Sequence, residues 1–498
     1  MTHTAAEILP YHTVPGTAPD PDRRLLVVSY HFPPSPAVGG LRWQQLSWLA
    51  AERGWGVDVL ARDPDGYRVR DESRLQHLPA GLRAFAVRTP QLPLDTFERL
   101  VADTLRGLSR RHGRETAGSS GQADTPARGR NRVPRTVPRS EVTWKASPES
   151  LVNAWHVWRA AQAERAWARA AVTAGTLVAR PGVHRAIVAC GPPHGVYTAG
   201  RWLAERLRLP LVLDFRDPWS LQQRLGRSMA SPLWYRLAER DEAAAVARAA
   251  LVVSNTEAAA AAMRGRYPHA RVISVMNGMD EGDLPPSRAQ DRFVIGYAGA
   301  IYLDRDPRPL LRAAARVARS LGLTPDRFGI ELLGEVSRYD GQSLEDMTRE
   351  EGVEGFVRVS PRRPYPEAMA FLASCAMLVS LPQDSTLAIP SKVFEYLRFP
   401  AWLLALADPD SATAHVLDGT GADVVAPDDV EGIAAAIRRR YEQFSSGVRP
   451  QPLGTDPRLT RRYQGSLLLD ALEDITQARD SRPSAHTSRG AAQHSLRG

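Results

Sequence analysis

With 498 residues the chain exceeds what a single hydrophobic core organises, so at least two domains are expected. A hydrophobic share of 43% and a charged share of 24% are those of an ordinary globular chain, and a formal net charge of +9 suits anionic partners: nucleotides, phosphorylated lipids, acidic membranes or nucleic acid. Only two cysteines, Cys190 and Cys375, stand in separate apolar runs, which excludes a disulfide framework and a cysteine metal site, and no stretch reaches the roughly eighteen apolar residues of a membrane-spanning helix.

In chain order, residues 1–22 lack a charged region followed by an apolar one and read as a flexible leader rather than a secretory signal. A cytoplasmic protein is therefore expected, with peripheral contact at the inner membrane surface left open. Short apolar runs follow at Leu25–Ser29, Val57–Ala61, Ala84–Val87, Ala186–Cys190, Leu211–Phe215, Leu251–Ser254 and Val272–Val275. After "NGMDEGDLPPSRAQDR", an acidic and proline-paired linker, the rhythm restarts at Phe293–Ala298, Gly329–Leu333, Val357–Ser360, Met377–Leu381, Trp402–Leu406 and Ala422–Ala426. Runs this short, separated by helical patterns, indicate parallel sheets covered on both faces. The expected fold is α/β: two Rossmann-like doubly wound domains facing across a cleft, at 23–285 and 286–458. A helix at 459–479 returns toward the first domain. Two segments break the rhythm, a mobile basic insertion at 106–147 and a disordered tail at 480–498, both too poor in large apolar residues to order themselves.

Ligands of open parallel sheets sit beyond the carboxyl ends of the strands. The loop "HFPPSPAVGGLR" stiffens its strand exit with prolines, then offers Gly39 and Gly40 for close backbone approach and Arg42 at a helix start, a combination suited to a diphosphate; a plain turn is the alternative. "GPPHGVYTAG" places His194 at another helix start. "DFRDPW" places Asp214, Arg216 and Asp217 at a strand tip, as a self-satisfied ion cluster or as contacts to substrate hydroxyls. In the second half Gly299 ends a strand and Arg305 precedes a helix. Pro390 and Ser391 open another helix, which carries Lys392 for phosphate and Glu395 for ribose hydroxyls.

With these loops in order, the chain resembles the family 4 glycosyltransferases, nucleotide-sugar-dependent retaining enzymes of the GT-B fold. The resemblance rests on "HFPPSPAVGGLR", "GPPHGVYTAG", "DFRDPW", "VISVMNGMD", "YAGAIYLDRDP" and "IPSKVFEYL". It implies an acceptor held mainly by the first domain and a donor held mainly by the second. Gly39 and Gly40 match the family's glycine loop beside the donor diphosphate, His194 the histidine near the transferred sugar, and Glu395 the second glutamate of its paired-glutamate motif. Two positions depart. The first glutamate falls at Leu387, for which Asp384, Ser385 or Thr386 are candidate substitutes. The first cation of a basic pair falls at Ala300, leaving Arg305, with Lys392 as a candidate replacement.

The resulting expectation is transfer of a hexose from a nucleoside diphosphate sugar to a saccharide or lipid-linked acceptor with retention, in glycan or polysaccharide synthesis. Arg305 and Lys392 would stabilise the leaving diphosphate, without a metal and with no cofactor beyond the donor. Basic and aromatic residues at 222–237 suit an anionic membrane surface. The rival readings are a nucleotide-sugar epimerase, which needs acid/base carboxylates such as Asp214 and Asp217, and a basic nucleic-acid-binding or scaffold protein. The scarcity of aromatic residues in 106–147 argues against recognition of single-stranded nucleic acid.

Overall fold

The computed structural model describes residues 8–16, 21–67, 69–90, 148–216, 220–221, 231–286, 291–302, 304–382 and 385–480. The insertion at 106–147, residues 481–498 of the tail, residues 222–230, Asp217 and Asp384 lie outside the described residues.

The first sheet has the order β1-β4-β3-β2-β5-β6-β7-β8. Its strands are β1 (His12–Thr13), β2 (Arg24–Ser29), β3 (Gly56–Arg62), β4 (Arg83–Val87), β5 (His184–Gly191), β6 (Leu211–Phe215), β7 (Leu251–Ser254) and β8 (Val272–Ser274). All neighbours are parallel except β1 and β4. Every residue of β2 is buried, as a strand covered on both faces requires. The cover comes from α1 (Leu41–Glu52), α2 (Pro148–Val178), α3 (Gly195–Leu207), α4 (Pro232–Arg248) and α5 (Glu257–Arg266). One face packs Trp167, Val196 and Leu203; the other packs Trp43, Leu46 and Trp55.

The second sheet has the order β13-β10-β9-β14-β15-β16 and is parallel throughout. Its strands are β9 (Phe293–Ala300), β10 (Phe328–Glu335), β13 (Val357–Ser360), β14 (Met377–Ser380), β15 (Trp402–Leu406) and β16 (Asp423–Val425), with a small hairpin of β11 (Arg338–Tyr339) and β12 (Gln342–Ser343). The helices are α6 (Arg308–Leu321), α7 (Leu344–Glu350), α8 (Tyr365–Ala373), α9 (Ser391–Tyr396), α10 (Ala412–Leu417) and α11 (Val430–Ser445). α6 buries Leu310, Leu311, Ala314, Val317 and Ala318, spaced along one helical stripe, and ends at Gly322 with φ +62°.

The last helix, α12 (Arg461–Asp480), leaves the second domain and buries Leu468, Leu469 and Leu472 in the first-domain core beside Trp43 and Leu46. The chain therefore crosses between domains twice, and the crossings run side by side. Met279 N–H donates to the Leu459 carbonyl at 2.7 Å, and Arg461 N–H to the Met279 carbonyl at 2.8 Å.

One expectation needs correcting. The leader is not wholly loose: Tyr11 N–H donates to the Ala84 carbonyl and Val14 N–H to that of Leu82, which makes β1 an edge strand on β4. The Tyr11 hydroxyl also donates to the Pro33 carbonyl at 2.6 Å, bracing the loop after β2. Pairing satisfies backbone groups that the apolar edge would otherwise leave exposed.

Candidate active site

In both sheets the strand order reverses at one point, between β2 and β5 in the first and between β9 and β14 in the second. Loops diverge there and leave a crevice at the strand ends. The residues singled out in the sequence fall beside these two points.

At the first crevice Val38–Gly40 form one turn of tight helix. A Cβ on Gly39 would lie 2.9 Å from Nη1 of Arg216 and 3.3 Å from the His31 side chain, and one on Gly40 would lie 3.3 Å from the Phe32 backbone. The glycines thus let the loop fold back on the strand exit. The Gly40 N–H, expected to face a ligand, instead donates to the Ala37 carbonyl at 3.0 Å. Arg74 donates to the carbonyls of Ser35 and Ala37 and fixes the loop from outside. Its pKa is lowered by burial and by Arg362, against the pull of Asp71.

Arg42 differs from the expectation of a ligand contact, and Asp214 takes the ion-cluster one of its two readings. Neither faces a ligand: they are 6% and 0% exposed and pair with each other, Arg42 Nε lying 3.1 and 2.9 Å from the two carboxylate oxygens. The Trp43 indole adds a third bond to Asp214 at 3.0 Å, while Arg42 reaches onward to the Val275 carbonyl. A charge buried under the sheet must be paired and hydrogen-bonded, and this pair satisfies itself. Arg216, two residues on, lies beside Gly39 and His31. His31 was not singled out in the sequence; its Nδ1 is buried without a hydrogen-bond partner, and burial, Arg216 and Arg62 push its pKa down to about 4.

His194 occupies the N-cap position of α3, its ring 5.9 Å from that of Tyr197. The Glu164 carboxylate, from α2, accepts from the Gly195 N–H at 3.1 Å and so occupies part of that helix start. Burial raises the Glu164 pKa against the effect of this bond. His194 lines a cavity of about 460 Å³ between α2, α3 and α4, with Trp158, Tyr197, Leu233, Trp234 and Glu242 among its walls.

At the second crevice the geometry brings together Gly299, Arg305, Lys392 and Glu395. Lys392 Nζ donates to the Ala298 carbonyl at 3.0 Å and stands 3.8 Å from the Tyr297 ring centroid. Arg305 donates to the Ala300 carbonyl at 3.0 Å, its guanidinium 4.3 Å over the Tyr302 ring. Burial and then Arg305 hold the Lys392 pKa well below its ordinary value, with Glu395 opposing. Glu395 accepts from the Tyr365 hydroxyl at 2.9 Å; burial raises its pKa, with Tyr365, Arg398 and Lys392 opposing. Ser385 and Thr386 border a small cavity nearby, where Ser385 Oγ accepts from the Leu387 N–H. The Leu387 carbonyl accepts from Thr256 Oγ1 at 2.6 Å, tying this loop to the first domain.

No family model matches the sequence and no curated protein matches it. Solved structures do match across both domains. TarM aligns with a TM-score of 0.58 at 10% identity, covering 91% of this chain and 98% of that one. The fold is that of the GT-B glycosyltransferases. Two further GT-B structures agree. A UDP-forming trehalose-phosphate synthase from Burkholderia xenovorans has a TM-score of 0.53 at 13% identity, covering 91% and 99%. Anabaena HepE, crystallised with UDP-glucose, has a TM-score of 0.50 at 14% identity, covering 92% and 99%.

Proposed function

We propose that this protein transfers a hexosyl group from a nucleoside diphosphate sugar to a saccharide or lipid-linked acceptor, with retention at the anomeric carbon. The observation that carries this reading is the meeting of Lys392, Arg305, Glu395 and the bare Cα of Gly299 at the point where the second sheet reverses. Arg305 and Lys392 stand close enough for the one to lower the pKa of the other, and a diphosphate, which favours the charged lysine, is the complementary ligand. As the sugar departs, negative charge grows on the diphosphate, and pre-placed cations stabilise that state more than the ground state. This role makes a divalent cation unnecessary. Glu395, free to exchange Tyr365 for a ribose hydroxyl, accounts for the nucleoside half of the donor. HepE, solved in complex with UDP-glucose, supports a nucleotide-sugar donor.

The acceptor belongs on this reading to the cavity beside His194. The epimerase alternative loses one of its two carboxylates, since Asp214 is sealed under Arg42 and Trp43. Thermal-shift titration with UDP, ADP and GDP and their hexose conjugates tests the proposal, because binding to the folded state raises the melting temperature by mass action. A stabilisation by one nucleoside diphosphate that Lys392→Ala removes is expected; no response to any of them would end the assignment.

A further inference from the structure

We infer that the cavity between α2, α3 and α4 takes an organic cation, a flat and largely apolar body carrying a protonated amine, with Glu164 as the seat of the ammonium group. The site stands on its own geometry; that its occupant is the glycosyl acceptor rests on the transfer reading above. At about 460 Å³ the cavity has the size of a small-molecule site. Among its wall residues Trp158, Leu233 and Leu237 are 43%, 65% and 37% exposed. Three large apolar side chains left open around one hollow call for an apolar occupant. Trp158 stacks on Trp155 with ring centroids 5.3 Å apart, and Tyr197 and Trp234 bring further aromatic rings to the walls. Aromatic faces attract cations as well as flat rings.

The charges decide the sign of the ligand. Arg165 and Asp241 cancel each other at 2.7 Å, which leaves the two carboxylates Glu164 and Glu242. Glu164 Oε2 accepts from the Gly195 N–H at 3.1 Å, while its Oε1 bonds to no described residue. The Glu242 side chain is 1% exposed. Its Oε1 accepts from the Ser220 and Tyr267 hydroxyls, and its Oε2 is buried without a hydrogen-bond partner. Arg266 comes only within 3.9 Å of Oε1. Burial raises the pKa of both carboxyls against these bonds, and a bound ammonium would oppose that shift. An anionic ligand is disfavoured twice. It would meet both carboxylates, and the N-terminus of α3, where an anion would otherwise sit, already holds Glu164.

Calorimetric titration of the full chain with three probes that share an indole ring tests the inference. Tryptamine, tryptophol and indole-3-propionate end in an ammonium, a hydroxyl and a carboxylate. Tryptamine should bind tightest and indole-3-propionate weakest. Glu164→Gln, which keeps the shape and loses the charge, should weaken tryptamine by roughly tenfold and change tryptophol by less than about twofold. Glu242→Gln should act in the same direction; if it fails to fold, Glu164→Gln still reads the charge. Trp158→Ala, at a partly exposed residue, should weaken tryptamine and tryptophol alike. Equal affinity for tryptamine and indole-3-propionate, wild-type tryptamine affinity in Glu164→Gln, or no binding of any probe would overturn the site. Titration with nucleoside diphosphates separates the two readings. Tryptamine binding that needs Glu164, in a chain that binds no nucleoside diphosphate, keeps the cation site and removes its role in transfer. Nucleoside diphosphate binding with no preference for the ammonium probe keeps the transfer reading and removes the cation site.

Discussion

The Lys392 ammonium occupies the space that a side chain on residue 299 would need: a Cβ on Gly299 would lie 2.5 Å from Nζ. Gly299 also holds φ +146°, a conformation that L side chains rarely adopt. Strand end and lysine are therefore fitted to each other. Gly299→Ala should push Lys392 off the Ala298 carbonyl and cut nucleoside diphosphate affinity by about tenfold. Lys392→Ala and Arg305→Ala should each lower turnover by roughly two to three orders of magnitude, the scale of losing one pre-placed charge at a developing anion. Calorimetry and initial rates check both; wild-type rates in both cation variants would remove the assigned role.

Proton linkage gives a second test of Lys392. In the free protein its pKa is depressed, by burial first and Arg305 second. A bound diphosphate favours the charged form and raises that pKa, so binding takes up a proton. Affinity should then fall as pH rises from the depressed value of the free protein toward the raised value of the complex. Calorimetry in buffers of different ionisation enthalpy at alkaline pH should show uptake in the native protein and none from this source in Lys392→Met. Proton release in the native protein would contradict the assignment.

The pairing of Arg42 with Asp214 predicts a structural phenotype rather than a catalytic one. Asp214→Asn leaves a guanidinium that is 6% exposed without its counter-charge. Breaking a buried pair from one side costs about 3–5 kcal/mol. Denaturant unfolding should show a loss of that size, while the surviving folded fraction keeps its affinity for nucleoside diphosphate. A loss of substrate affinity with unchanged stability would restore Asp214 to the substrate side.

How far the sequence could be read follows from where each interaction originates. The strands were legible because runs such as "RLLVVS" are buried at every position, a local pattern that parallel sheets impose. The cluster of Arg305, Lys392 and Glu395 was legible because each residue stands just beyond a strand end or in the short helix Ser391–Tyr396 that follows one, where such folds place ligands. The Arg42 contact was not, since its partner lies 172 residues away and nothing local distinguishes a buried arginine at a helix start from a ligand-binding one. His31 was missed for a similar reason: its setting is made by Arg62, at the end of β3, and Arg216, just after β6. β1 is only His12–Thr13, too short to show alternation, and exists because β4 supplies a partner.

His31 turns that setting into a measurement. Its pKa of about 4 is set by burial first, then by Arg216 and Arg62. Removing a neighbouring positive charge favours the protonated ring, so Arg216→Gln should raise the His31 pKa, though not to the ordinary value near 6.5, because burial persists. Ring-resonance titration by NMR reads this directly. For stability, a histidine whose folded pKa lies below its unfolded one leaves the unfolded chain holding more protons between about 4 and 6.5. Its contribution is full above about 6.5 and is lost as pH falls toward 4. Urea unfolding across that window should therefore show a pH slope that is shallower in Arg216→Gln and absent, for this group, in His31→Asn. A His31 that titrates unchanged in Arg216→Gln would mean that the guanidinium and the ring are not neighbours in solution.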